Sequence, residues 1–153
     1  MADARFEDGE TRPLNLVARD GDDLGVISAL IQDAVLTAGD LRYTKSKRRF
    51  TLLINRFRWE DGSARSPERV RSLLVVDDVT MVQGQGLDRT DPDLVLSLLS
   101  LGFAPGDDGT GLLTLTFAGD GALALAVEAL EITLKDVTRP YLAPSRLVPK
   151  HPD

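Results

Sequence analysis

The chain has 153 residues, 42% of them hydrophobic and 27% charged, with a formal net charge of −6 and no cysteine. That size and balance suit one domain with a real core, and the missing cysteine excludes disulfides, thiolate zinc sites and a Cys nucleophile. The single histidine is His151, close to the C-terminus, which counts against Ser-His-Asp hydrolysis, HExxH chemistry and most zinc catalysis in the body of the chain.

Residues 1–13 are polar and charged; they hold no apolar signal-peptide core and read as a disordered N-terminus. Residues 14–19 form a short apolar strand candidate. Asp20, Asp22 and Asp23 then precede Leu24, Ile27, Leu30, Ile31, Ala34 and Val35. This spacing predicts an amphipathic helix over 22–35, with its acids at the positive end of the helix dipole. Residues 41–44 and 49–59 flank a polar turn at 45–47 and read as a hairpin. In the second arm Phe50, Leu52 and Ile54 share one face, and Leu53, Phe57 and Trp59 the other, the pattern of a strand that is central or covered on both sides. A loop over 60–66 ends at Pro67. Two β-rich runs, 70–76 and 79–82, are parted by Asp77-Asp78, and Gly84 and Gly86 close that region. After a loop at 88–93, the apolar run 94–103 breaks at 105–109.

The clearest hairpin is last. Leu113, Leu115 and Phe117 alternate with threonines, and Leu123, Leu125 and Val127 alternate with alanines. The expected register sets Phe117 opposite Leu123 across Gly119-Asp120-Gly121, with Gly121 in the left-handed region. Leu130, Ile132 and Leu134 continue as a strand with a bulge near Glu128-Ala129, although Leu123, Val127, Leu130 and Leu134 also fit a helical stripe; the strand is favoured. Residues 139–153 carry four prolines and read as an extended or disordered tail. The sum is an α+β domain over 14–138, mainly an antiparallel sheet of seven to eight strands with one N-terminal amphipathic helix. A pleckstrin-homology-like bent sheet is one architecture that fits the strand count.

Charge is unevenly placed. Residues 42–71 hold ten of the 18 Lys and Arg against three acids, +7 in a chain of net −6. Arg42, Lys45, Lys47, Arg48 and Arg49 at the first hairpin, with Arg56 and Arg58 along its second arm, are the candidate partner-binding residues for an acidic surface. Tyr43, Phe50, Phe57 and Trp59 are interleaved with them. The bland alternative is a charged hairpin edge that discourages strand-to-strand aggregation, with the aromatics in the core. Nucleic acid is disfavoured because the sequence pI is about 4.8 and phosphate binding responds to the field of the whole surface.

Other motifs carry less. Asp22-Asp23 is explained by helix capping. Asp77 and Asp78 are adjacent in a β-rich region and point apart. Asp88, Asp91 and Asp93 lack EF-hand spacing, and Asp107-Asp108 lies in a turn. Gly84-Gln85-Gly86 lacks the third glycine and the helix of a dinucleotide fingerprint. Asn55, within the most apolar strand, reads as a buried polar group in a structural network. No catalytic residue, cofactor or metal site is expected.

Asp22-Asp23-Leu24, Ile27-Ser28, Leu30, Gln32-Asp33-Ala34-Val35, Gly39-Asp40-Leu41-Arg42-Tyr43, Arg48-Arg49-Phe50, Leu53, Asn55-Arg56-Phe57 and Trp59-Glu60 resemble a proteobacterial family known as domain of unknown function 2948. Residues 94–99 and Phe117-Ala118-Gly119 are similar to it as well. The resemblance covers about 14–137. It implies a small intracellular bacterial protein and carries no activity or catalytic residue. With no apolar run near the ~20 residues that span a bilayer, the expectation is a cytoplasmic, non-enzymatic domain that acts by protein–protein contact, with a homodimer as one form. The alternatives are a small-ligand-binding domain or enzyme with its pocket between helix and sheet, and nucleic-acid binding through 42–71.

Overall fold

The computed structural model describes residues 13–61, 68–87 and 90–142. The expected disorder of residues 1–12 lies outside them, as do residues 143–153 with His151, residues 62–67 with Arg65, and Asp88.

The described chain forms eleven strands and one α-helix: β1 (Asn15–Ala18), α1 (Gly21–Leu30), β2 (Ala34–Thr37), β3 (Leu41–Thr44), β4 (Arg49–Phe57), β5 (Glu68–Val76), β6 (Val79–Gln85), β7 (Val95–Pro105), β8 (Gly111–Phe117), β9 (Ala122–Val127), β10 (Ile132–Asp136) and β11 (Tyr141–Leu142). The α+β class with a mainly antiparallel sheet is therefore as expected. The strand number is eleven rather than seven or eight, and α1 is not strictly N-terminal, since it follows the short strand also expected over 14–19.

All strands belong to one antiparallel sheet. Its path runs β1-β10-β5-β4-β2-β7-β8-β9-β6, with β3 paired to β4 and β11 to β5. Buried residues from both ends of that path, among them Leu52, Leu74 and Ile132 at one end and Leu113, Leu115 and Leu125 at the other, join one core. A sheet that gathers its own two ends into one core must curl over itself, as strand twist favours. α1 packs on β1 and β7, and its Leu24 and Ile27 join the same core.

The helix is shorter than the 22–35 stripe predicts. Asp20 caps it, its carboxylate accepting from Asp23 N at 2.8 Å, and Ile31 N–H closes the last turn on Ile27 O at 3.1 Å. Asp33 then turns left-handed at φ 66°, and its N–H donates to Leu98 O at 2.9 Å. From Ala34 the chain pairs with β7, Ala34 opposite Leu98. Ile31 and Ala34 are buried as their spacing implies, but Ala34 reaches the core from a strand. Tertiary pairing has overridden helical periodicity.

The first hairpin forms as expected, Leu41 opposite Leu52 and Thr44 opposite Arg49, around a single 3₁₀ turn at Lys45–Lys47 that ends on Arg48 at φ 51°. The β8–β9 hairpin keeps the predicted face but not the predicted register. Leu115 lies opposite Leu123, and Phe117 N–H donates to Gly121 O at 2.8 Å. The three-residue loop is thus Ala118-Gly119-Asp120, with positive φ at Gly119 and Asp120 rather than at Gly121. Gly121 instead gives closeness: a Cβ there would lie 2.5 Å from the Leu87 Cδ2, which would have to move.

Residues 132–136 form a strand as favoured, but the interruption at 128–131 is a crossing rather than a bulge. β9 pairs with β8 and β6, whereas β10 pairs with β5 and β1. The chain also crosses between the two ends of the path at Asp77-Asp78, from β5 to β6. The crossings lie side by side, with Asp77 N bonded to Glu131 O and Glu128 N to Asp78 O, each at 3.0 Å. In the tail, Tyr141 and Leu142 pair with Arg69 and Glu68 of β5.

Candidate functional site

The curl of the sheet brings β6 back toward β3 without joining them in a ladder. At the Val79 end they are clasped. Val79 N–H donates to Arg48 O at 2.8 Å, and the Tyr43 hydroxyl donates to Val79 O at 2.7 Å. Past that clasp β6 takes a register shift between Val79 and Met81, the mark of a bulge, which bends a strand and increases its twist. The seam widens there into a cavity of about 480 Å³, lined among others by Leu41, Tyr43, Phe50, Val82, Leu94 and Leu96.

Each lining residue is there for a local reason. Leu41 and Tyr43 are alternate residues of β3, so both point inward. Phe50 lies opposite Tyr43. Leu87 is held where Gly121 leaves room for it. The rim near Pro92 is pinned by backbone bonds from Ala38 N to Leu94 O at 2.8 Å and from Gly39 N to Pro92 O at 2.9 Å. The lining contains no charged side chain, and its one side-chain hydroxyl, that of Tyr43, is already engaged. Such a surface favours apolar groups through burial. α1 contributes none of the lining, so this cavity is not the helix–sheet pocket of the alternative, small-ligand or enzyme, reading.

The structure divides the seven candidate cations. Arg42, Lys45 and Lys47 are exposed on β3 and its turn, and no salt bridge engages them among the described residues. Arg48 makes a two-pronged bond to Glu128, 2.8 Å on each arm, and lies 3.9 Å from Asp78. The hydrogen bonds and charge of Glu128 raise the Arg48 pKa above its usual value, and Arg48 in turn holds the Glu128 carboxyl below its own. Arg49 bonds Asp77 at 2.8 Å. Arg56 and Arg58 are not surface cations but interior ones, 0% and 4% exposed.

Arg56 sits in a closed polar network. Its guanidinium bonds Glu60 at 2.8 Å, Asp136 at 2.9 Å and Ser72 Oγ at 3.0 Å. Ser72 Oγ also donates to Asp136 at 2.7 Å, and Leu14 N–H donates to the second Asp136 oxygen at 2.9 Å. Burial alone would lower the Arg56 pKa, but the bonds and charge of Glu60, followed by those of Asp136, outweigh it and hold the pKa up. Arg58 bonds Glu68 at 2.6 Å. No buried side-chain polar atom among the described residues lacks a hydrogen-bond partner. A network this completely satisfied is a structural tie.

Asn55 is half-buried rather than buried. It donates to the Tyr141 hydroxyl, and Arg69 donates to its backbone and side-chain oxygens at 3.0 and 3.3 Å. The paired carboxylates do not converge. Asp22 and Asp23 lie in the first turn of α1, Asp77 and Asp78 face Arg49 and Arg48, and Asp91 accepts from Asp93 N in its own loop. No group of three His, Cys, Asp or Glu among the described residues is arranged to hold a metal ion. Gly84-Gln85-Gly86 ends β6 and leads into a turn. No helix among the described residues is long and apolar enough to cross a membrane.

The family model described as protein of unknown function (DUF2948) matches residues 14–151. The chain belongs to this family. No curated protein and no solved structure matches it. The family description names no ligand and no reaction, so the cavity stands on its geometry. Sequence reasoning missed it because its lining comes from five separate stretches, and each lining residue taken alone reads as ordinary core. The one local signal is β6, where VTMVQGQ is too apolar for a loop and carries none of the charge that usually marks an exposed edge.

Proposed function

We propose that this member of the DUF2948 family is a non-enzymatic binding domain whose site is the seam between β3 and β6, and that it binds by taking an apolar group of its ligand into the cavity there. The observation behind this reading is the cavity itself: about 480 Å³, within the roughly 300–1,000 Å³ usual for ligand sites, with an apolar wall and a single oriented hydroxyl. The convergent acids, bases or nucleophiles that would support an enzyme are not gathered around it. A pleckstrin-homology-like architecture remains a proposal within this reading, supported only by the bend of the antiparallel sheet. Nucleic-acid binding has less support, because Arg48, Arg49, Arg56 and Arg58 are already held by carboxylates.

The test uses a neutral apolar fluorophore, N-phenyl-1-naphthylamine, titrated into the wild-type protein and into a Val82→Trp variant that fills the cavity. Saturable, blue-shifted fluorescence at one site per chain is expected for the wild type, with loss of at least about tenfold in affinity in a variant whose circular dichroism is unchanged. Absence of saturable binding in the wild type, or equal binding by the filled variant, refutes the reading.

A further inference from the structure

Both lips of the cavity are strand edges. Among the described residues β3 pairs only with β4 and β6 only with β9, so past the Val79 clasp each presents backbone N–H and C=O groups to the gap without a ladder partner. Edges of this kind are usually defended by charge, proline or brevity. Apart from its bulge between Val79 and Met81, β6 has no such defence. It runs seven residues, VTMVQGQ, without a charge or a proline, and its Met81 is 54% exposed. β3 is short and carries Arg42, with Lys45 and Lys47 in the turn that follows. These are the three candidate cations that the fold leaves unpaired among the described residues. Arg42 therefore stands on one lip of the cavity, with Lys45 and Lys47 at the clasped end of that lip, on a chain whose net charge is −6.

We propose that the seam receives an extended acidic segment of another polypeptide, which adds as a strand to the free edge and sends alternate apolar side chains into the cavity. The proposal rests on the binding-domain reading above and names its ligand class. Three features then share one occupant. A strand satisfies the edge groups, its two-residue period delivers every second side chain to the cavity, and its acidic residues meet Arg42, Lys45 and Lys47. A free small apolar molecule would fill the cavity but leave both the edges and the cations unused. A second copy docked lip to lip about a two-fold axis would set the three cations against their own counterparts, which is repulsive.

The probe is a set of fluorescein-labelled eight-residue peptides that alternate Glu or Asp with Val, Leu, Ile or Phe, read by fluorescence anisotropy at low salt. At least one should bind saturably. Its affinity should fall about tenfold or more in an Arg42→Ser/Lys45→Ser/Lys47→Ser variant, and again when alternate backbone nitrogens of the peptide are methylated. The naphthylamine fluorophore should bind that triple variant as well as it binds the wild type, since the cations do not line the cavity. Equal affinity for the triple variant, for N-methylated peptides or for peptides with Lys in place of Glu and Asp overturns the proposal. No peptide binding alongside normal fluorophore binding also overturns it, while leaving the cavity reading intact; failure of both removes both. Dimerisation that blocks the peptide site in light scattering counts for a second copy and against an acidic partner.

Discussion

Arg56 stands where the pattern of β4 calls for another apolar side chain. Phe50, Leu52 and Ile54 point into the core, and residue 56 is next on that face. On β10, Asp136 likewise follows Ile132 and Leu134, and on β5 Ser72 shares a face with Leu74 and Val76. The pairings of Ile54 with Ser72 and of Ser72 with Asp136 bring the three together. The two-residue period therefore places each polar residue on the inner face from sequence alone, whereas their meeting depends on strand order. The cost of separating them follows from burial. In Arg56→Met the Asp136 carboxylate keeps Ser72 and Leu14 N–H but loses its counter-charge at 3% side-chain exposure. Removing one member of a buried pair costs about 3–5 kcal/mol. Urea unfolding should show a loss of that size for Arg56→Met. Arg56→Met combined with Asp136→Leu should be clearly less harmful than the sum of the two single changes. Strict additivity would mean that the pair contributes nothing as a pair.

Among elements, the β8–β9 hairpin carries the sharpest local requirement. Gly119 has φ 83°, and a Cβ there would meet nothing within 4 Å, so Gly119→Ala isolates the backbone term. A left-handed alanine costs roughly 1–2 kcal/mol. The midpoint of thermal or urea unfolding should fall accordingly with the cooperativity unchanged, and an unaltered midpoint would show that the loop relaxes to another turn. This hairpin also shows what the sequence could reveal. The alternation of large and small residues determines which side chains face inward, and that reading holds. The choice between two registers two residues apart is invisible to alternation, because both keep the same face inward. In the observed register Asp120 shares the left-handed region with Gly119, and Leu87 occupies the space beside Gly121. The end of α1 has a similar cause. Ile31, Ala34 and Val35 extend a helical stripe, yet the N–H of Asp33 finds Leu98, more than sixty residues away. β5 and β6, consecutive in sequence, lie at opposite sides of the path, because a two-residue connection fixes continuity but not pairing. The candidate site was least legible, since a cavity made by the failure of two distant strands to meet has no sequence motif.

For the molecule as a whole, strand order governs how it is built. β1 waits for β10, β5 for β10, β2 for β7 and β6 for β9, so many pairings join distant stretches of chain. Non-local topologies of this kind fold slowly, in milliseconds to seconds, because loop closure precedes the contacts that compensate for it. Trp59, the only tryptophan, reports on the event: its ring lies 4.7 Å from that of Phe57, and its indole N–H bonds Gln32 O at 3.0 Å. Stopped-flow refolding followed by its fluorescence should give a main phase in that range, and a microsecond phase accounting for the whole signal would contradict it.

The two side-by-side passages at Asp77-Asp78 and Glu128–Glu131 also determine how the molecule responds to load. They act as twin straps across one corner. Prying the two layers apart from the open seam would rotate them about that corner instead of tearing it, since backbone bonds tie each strap to the other. On the proposal of strand addition, widening of the mouth would be a hinge motion that leaves the strapped corner closed.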